Sequence, residues 1–444
     1  MRIVLVILTI LGLCFWRAKA VAEQAAAAGN AIRISPTFIS QLAEEARTNN
    51  PAVRAAAARV QAAQSNSKAV RVWEDPMFTA GTVAASRSRR QDDGDVVYGV
   101  EQKLPLFRKP QLAKGVADAE AVTQKAAFDY EFQMLRLDIA RQLFKTALAD
   151  RTVKISQEDL DWLQMLVVAT EERYRTGTGA QTEVLRMQNE RSKRAQQLQT
   201  DRQQIEYERK MLNRLLNRDL AAPWPELQLP SAAGPVFYNQ RLINLTSQYE
   251  ARLKVMRQEV KQAAAVAALT RRQRWPDISL GVQGRQYSGT VELREGMFTV
   301  TFNLPWVNAQ KYRHDIERDD ARLRAAQLEV ADYELFVPTE ARRLTVQIDA
   351  ARREALLYRD EIIPRSELAL ASAHSAWTAN RGLFLDMMET RRMLLEARLG
   401  YARAVAQQYQ MLSELALCCG VADLEALQML GVQPDPDAPV NNPP

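Results

Sequence analysis

The chain has 444 residues, room for one large domain or several ordinary ones, and 47% of them are hydrophobic. With only 17 Gly and two His, it reads as a chain of long helices rather than a loop-rich enzyme scaffold. The formal charge of +6 is dispersed in mixed-sign runs such as Glu190-Arg-Ser-Lys-Arg194 and Glu317-Arg-Asp-Asp320, the mark of solvated helix faces; a nucleic-acid stripe is excluded.

Arg2, the apolar run from Ile3 to Trp16 and the small residues of Ala18-Lys-Ala20 predict a secretory signal over residues 1–20, cut after Ala20. Leu13 stands where lipid attachment at Cys14 would need a small residue, so none is expected there. Cys418 and Cys419 are then the cysteines left; neighbours in sequence, they strain any mutual disulfide and read as small apolar residues closing a helix. No later run of eighteen apolar residues predicts a membrane helix.

After an Ala-rich stretch to Ala31, helix is predicted from Pro36 to Val72, broken at Asn49-Asn-Pro51. Strands follow over Met77–Arg87 and Val96–Leu104, joined through Gln91–Asp95. A helix from Lys109 to Thr170 would be about 90 Å long. Gly177 and Gly179 break it, and helix resumes from Gln181 to Leu216 with Val184, Leu198, Ile205 and Leu212 on one heptad position that Arg191 interrupts. Four prolines (Pro223, Pro225, Pro230, Pro235) mark a linker over 223–238.

The second half repeats this order. Helix is predicted over 239–274, strands over Asp277–Tyr287 and Met297–Trp306, and helix over 310–376, kinked or paused at Pro338 and Pro364. A last helix runs from Phe384 to Leu417, where Met388, Leu395, Ala402, Tyr409 and Ala416 step by seven. The Pro- and Asn-rich tail (421–444) reads as flexible. Trp73 answers to Trp275, Leu104-Pro105 to Leu304-Pro305, and Tyr174-Arg-Thr-Gly177 to Trp377-Thr-Ala-Asn380, each at an offset of about 200 residues. The domains are therefore two copies of one unit, 21–222 and 239–420.

The strands carry the membrane argument. Phe298, Val300, Phe302, Leu304 and Trp306 alternate with Thr299, Thr301 and Asn303, and Ile278, Leu280 and Val282 alternate with Ser279, Gly281 and Gln283. Such strands of about ten residues fit the wall of a transmembrane barrel. Open edges are not tolerated in lipid, so four strands per chain require several chains to pool them.

The duplicated landmarks, in this order, resemble the TolC-type outer-membrane efflux factors over most of the chain, from about Ser35 to Gly420. The resemblance implies a mainly α fold with a transmembrane β-barrel: a homotrimer with twelve strands, four per chain, set on a barrel of coiled-coil helices in the periplasm. It implies the outer membrane of a Gram-negative bacterium, contact with its lipid, and partnership with a periplasmic adaptor and an inner-membrane pump of the resistance-nodulation-division type. It places tip and docking residues at Gly177, Gly179, Asn380 and Gly382, and a periplasmic aperture at Asp386 and Glu389. Glu183 and Arg186 hold the matching positions in the first copy, and Tyr174 and Trp377 flank the tips.

No catalytic constellation, cofactor or metal site is expected. His314 and His374 lack partners at ligand spacing, Thr176-Gly-Thr-Gly179 lacks the Lys-Ser/Thr of a phosphate loop, and Met387, Met388 and Met393 fit a helical core. The function expected is a passive, gated duct for small toxic compounds, metal cations or drugs. A type I secretion exporter, or a periplasmic coiled-coil scaffold or adaptor without a pore, is the alternative.

Overall fold

The computed structural model describes residues 31–83, 95–286 and 292–421. The expected signal segment with Cys14, residues 91–94 of the first strand connection, Tyr287 and the tail beyond Val421 lie outside them. In chain order the elements are β1 (Ile32–Arg33), α1 (Pro36–Asn49), α2 (Pro51–Ala69), β2 (Met77–Thr82), β3 (Val96–Lys103), α3 (Lys109–Arg175), α4 (Gln181–Leu216) and β4 (Leu227–Gln228). The second half supplies α5 (Gln240–Tyr249), α6 (Ala251–Gln273), β5 (Ile278–Gln286), β6 (Leu293–Phe302), a 3-10 turn (Pro305–Asn308), α7 (Ala309–Leu357), a π turn (Tyr358–Ile362), α8 (Ile363–Thr378) and α9 (Phe384–Cys419). No helix among the described residues is long and apolar enough to cross a membrane.

Local chemistry sets these boundaries. Ser35 caps α1 by accepting the Phe38 N–H at 3.2 Å, with Pro36 in the first helical turn, where its missing donor costs nothing. Asn239 does the same for α5 through the Leu242 N–H at 2.8 Å. Asn217 and Gly420 end α4 and α9 in the left-handed conformation, with φ of 54° and 63°. The helix expected over 239–274 is broken at Glu250, whose ψ of 129° leaves the helical region. Asn50 breaks α1 from α2 in the same way, with ψ of 125°.

Two prolines behave differently. The helix continues through Pro338, where the Tyr238 hydroxyl donates to the Pro338 carbonyl at 3.3 Å. At Pro364 it widens into the π turn, closed by Ile363 N–H on the Tyr358 carbonyl, because the proline ring clashes with the carbonyl four residues back and supplies no donor to it.

The chain divides into two compact units. One comprises Ala52–Glu131 and Ala251–Phe336 and carries the sheet, of order β2-β3-β5-β6 and antiparallel throughout. Its register puts Phe78, Val100, Val282 and Phe298 in one row across all four strands, and every one of them is exposed. The next row on that face holds Gln102, Leu280 and Val300, while Glu101, Lys103, Arg285 and Glu295 lie on the other. An apolar face open to its surroundings, backed by a charged one, inverts the usual sheet over a core. The expected final strand is corrected at its end. Phe298, Val300 and Phe302 belong to β6, but Leu304 and Trp306 lie beyond it. Pro305 has no N–H for a ladder, and its fixed φ starts the 3-10 turn that holds Trp306.

The other unit comprises residues up to Pro51, Phe132–Glu250 and the chain from Val337. The expected heptad residues Val184, Leu198, Ile205 and Leu212 are buried in it, whereas Arg191 turns outward. β1 pairs with β4 in parallel. The linker is strapped to α9: Gln408 accepts the Ala233 N–H at 2.9 Å and donates to its carbonyl at 3.1 Å, and the Tyr409 hydroxyl donates to the Ser231 carbonyl at 2.9 Å. Asp150 on α3 accepts the Leu227 N–H at 2.9 Å and Arg209 at 2.9 Å; burial nevertheless raises its pKa.

Candidate functional site

The two helix-reversing tips share one backbone plan. In the first, the Thr178 and Gly179 N–H groups both donate to the Arg173 carbonyl, and Gly177 takes φ of 74°. In the second, Arg381 and Gly382 donate to the Ala376 carbonyl, and Asn380 takes φ of 58°. Asn380 thus fills the left-handed position that Gly177 fills, as short polar side chains can. Gly179 and Gly382 are needed for a different reason. A Cβ on Gly179 would sit 3.0 Å from that of Arg173, and one on Gly382 2.8 Å from that of Ala376.

Arg173 joins the tips. It donates to the Trp377 carbonyl at 2.8 Å and to the Asn380 side-chain oxygen, and its guanidinium lies 4.5 Å from the centre of the Trp377 indole. Trp377 is 2% exposed, in a cluster with Leu163, Met187, Phe384 and Met387. Its counterpart Tyr174 is exposed, so equal turn positions carry unequal roles.

About four turns back along α3 from Arg173, Asp159 takes a bidentate grip from Arg391, about two turns into α9, through Nε at 2.8 Å and through Nη2. Arg194 on α4 approaches the same carboxylate at 2.7 Å as a charge contact, not as an aligned hydrogen bond. The Asp159 and Arg391 side chains are both under a tenth exposed, so three helices are pinned through one nearly dry carboxylate.

Asp386, in the first turn of α9, and Glu389, one turn on, are both exposed. No side chain among the described residues pairs with either carboxylate. Glu389 and its first-copy counterpart Arg186 line the same groove, of about 410 Å³, with Lys193 and Arg392. Glu183, the counterpart of Asp386, is half-buried with one carboxylate oxygen enclosed and unpartnered.

The outer membrane efflux protein family model matches residues 42–218. No curated protein matches the sequence. Solved structures do. CusC aligns with a TM-score of 0.76 at 15% identity, over 86% of this chain and 92% of its own. CmeC of Campylobacter jejuni aligns at 0.75 and 12%, over 87% and 86%. VceC of Vibrio cholerae aligns at 0.73 and 16%, over 87% and 96%. The resemblance to TolC-type outer-membrane efflux proteins holds. VceC is an outer membrane protein and CmeC an outer membrane channel, and the likeness of this chain to them is one of fold.

Gly177, Gly179, Asn380 and Gly382 stand at the two helix reversals. Arg173, Asp159, Arg194 and Arg391 were not among the expected site residues. A signal for two of them was present: Asp159 follows Ile155 and precedes Leu163 at core spacing, and Arg391 follows Phe384 and Met387 likewise. Opposite charges on two apolar stripes are candidates for each other. Of the methionines, Met387 is core and Met388 half-buried, but Met393 is exposed because α9 turns that face outward. His314 pairs with Glu317 at 3.0 Å, and His374 lies 6.2 Å from Trp377, ring to ring. Among the described residues no His, Cys, Asp and Glu gather in a metal-holding group.

Proposed function

We propose that this chain is the outer-membrane duct of a tripartite efflux system, passive and gated, passing small toxic compounds from a periplasmic adaptor and a resistance-nodulation-division pump. The observation that carries the reading is the sheet: one exposed apolar face and two unpaired edges, β2 and β6. In lipid each edge needs a partner. With four antiparallel strands per chain, β6 of one copy runs opposite to β2 of the next, so copies can close a wall without a parallel seam. The TolC-type fold favours three copies and twelve strands. The exposed carboxylates Asp386 and Glu389 then recur as two acidic rings close to the tips, where they attract cations and constrict the duct.

The test is fractionation and electrophoresis of the full-length protein. Sedimentation with outer membranes, and a heat-modifiable trimer, support the duct; a soluble periplasmic monomer would mean a scaffold instead. A deletion strain challenged with metals, dyes and drugs then separates the cargo classes. Loss of protein secretion with unchanged sensitivities would point to a type I exporter.

A further inference from the structure

We propose that the groove where β6 gives way to α7 binds the phosphate headgroup of a membrane phospholipid. The groove measures about 520 Å³ and is lined by Arg274, Pro305, Trp306, Tyr312, Arg313 and Glu317, among others. All belong to the unit that carries the sheet. The apolar strand ends at Phe302, and Leu304 and Trp306 follow it, both exposed, Trp306 by 60%. An indole beside the end of a lipid-facing strand suits the layer between hydrocarbon and water, its ring on the apolar side and its N–H on the wet one.

Charge distinguishes this groove from the surface around it. Nearby, Arg271 pairs with Asp320, Arg318 with Asp315 and Asp319, and Arg322 with Asp319. Arg274 and Arg313 have no side-chain ion pair or hydrogen bond among the described residues. The carboxylate in the groove, Glu317, is engaged by His314. Two guanidiniums with uncommitted donors beside two amphipathic rings form a receptor for a phosphate, which accepts a planar fork of N–H groups in pairs. A phospholipid brings that phosphate to the membrane boundary, with acyl chains that can continue along Phe302 and Val300. Free phosphate would use the two cations but not the exposed Trp306 and Leu304.

The inference rests on the outer-membrane reading, so both are measured. The full-length protein, purified in detergent, is titrated with phosphatidylglycerol and followed by native mass spectrometry, with membrane fractionation of every variant alongside. Expected are retained lipid in the parent and a loss of about thirty-fold in affinity for the Arg274→Gln, Arg313→Gln double variant, roughly five-fold per cation. The Arg274→Lys, Arg313→Lys variant, which keeps the charge but not the fork, should bind between the parent and the glutamine variant, and excess inorganic phosphate should leave the lipid in place. Unchanged lipid retention in the glutamine variant overturns the site. So does displacement by inorganic phosphate, which would make it a soluble-anion site. Loss of the oligomer in that variant also overturns it, since the groove would then be a contact between copies. A parent protein absent from outer membranes would instead sink the reading beneath it.

Discussion

The Arg173 guanidinium lies against the face of Trp377, 4.5 Å from the ring centre, and donates to that residue's own carbonyl at 2.8 Å. One side chain of the first tip thereby holds both the ring and the backbone of the second. Removing it leaves the Trp377 carbonyl with the Asn380 N–H alone and the indole without its cation. Arg173→Ala is expected to weaken the second tip by about 2–4 kcal/mol. Hydrogen exchange should rise over residues 376–384 with the helices beyond unaffected; unchanged protection there would show the contact to be incidental. Lysine, lacking the planar fork, should not restore it.

The carboxylate of Asp159 makes a second, independent prediction. Arg391→Met leaves the nearly buried carboxylate with the unaligned Arg194 in place of its bidentate partner and is expected to cost about 3 kcal/mol, the low end for a broken buried pair. Adding Asp159→Leu should recover most of that, because an apolar pair needs no desolvation and Arg194 can reach solvent. Denaturation of the two variants in detergent decides. Equal destabilisation of the single and the double would mean that packing at Arg391 matters and its charge does not.

For the acidic pair, Asp386→Ala with Glu389→Ala is expected to raise single-channel conductance in planar bilayers and to remove block by multivalent cations. Neither carboxylate holds another side chain in the folded protomer, so thermal stability should stay within about 0.5 kcal/mol. Unchanged currents would remove the aperture assignment.

Asp319 gives the acid limb of stability. Its carboxylate, 3% exposed, accepts the Arg318 guanidinium at 2.8 Å and the Thr270 hydroxyl at 2.8 Å, with Arg322 at 3.2 Å; Arg318 above all lowers its pKa to about 2. Unfolded, the same group protonates near 3.9. The folded form therefore keeps its charge where the unfolded chain binds a proton, and the stabilisation present above about pH 4 is lost as pH falls towards 2. Its upper bound is about 2 kcal/mol, since Arg318 is half-exposed and screened. Asp319→Asn should flatten melting temperature between pH 4 and 2; a parallel slope in the variant would assign the acid loss elsewhere.

What the sequence revealed follows from the range of each cause. Heptads, caps and the strand alternation are local, and Val184, Leu198 and Phe298 fell where their spacing put them. The break at Glu250 was signalled only by the repeat: no proline or glycine marks it, yet Asn50 with Pro51 holds the same position 200 residues earlier. The end of β6 was misplaced because alternation carries on past Phe302, whereas Pro305 decides where a ladder can stop. The Asp159–Arg391 pair needed the relative register of two helices far apart in the chain, which no local pattern encodes.

The sheet joins its two hairpins by pairing β3 with β5, Lys103 against Ser279 and Val96 against Gln286. The strands meeting there come from opposite halves of the chain, with α3, α4, the linker, α5 and α6 between them. Helices can form within microseconds of emerging, but this pairing must first close one of the largest loops the chain offers. Until the second hairpin arrives, the first carries an apolar face and an open edge, the kind of surface on which strands of other chains nucleate. Closing that long-range pair is then expected to be the slow step of folding, with the first hairpin exposed until the second arrives.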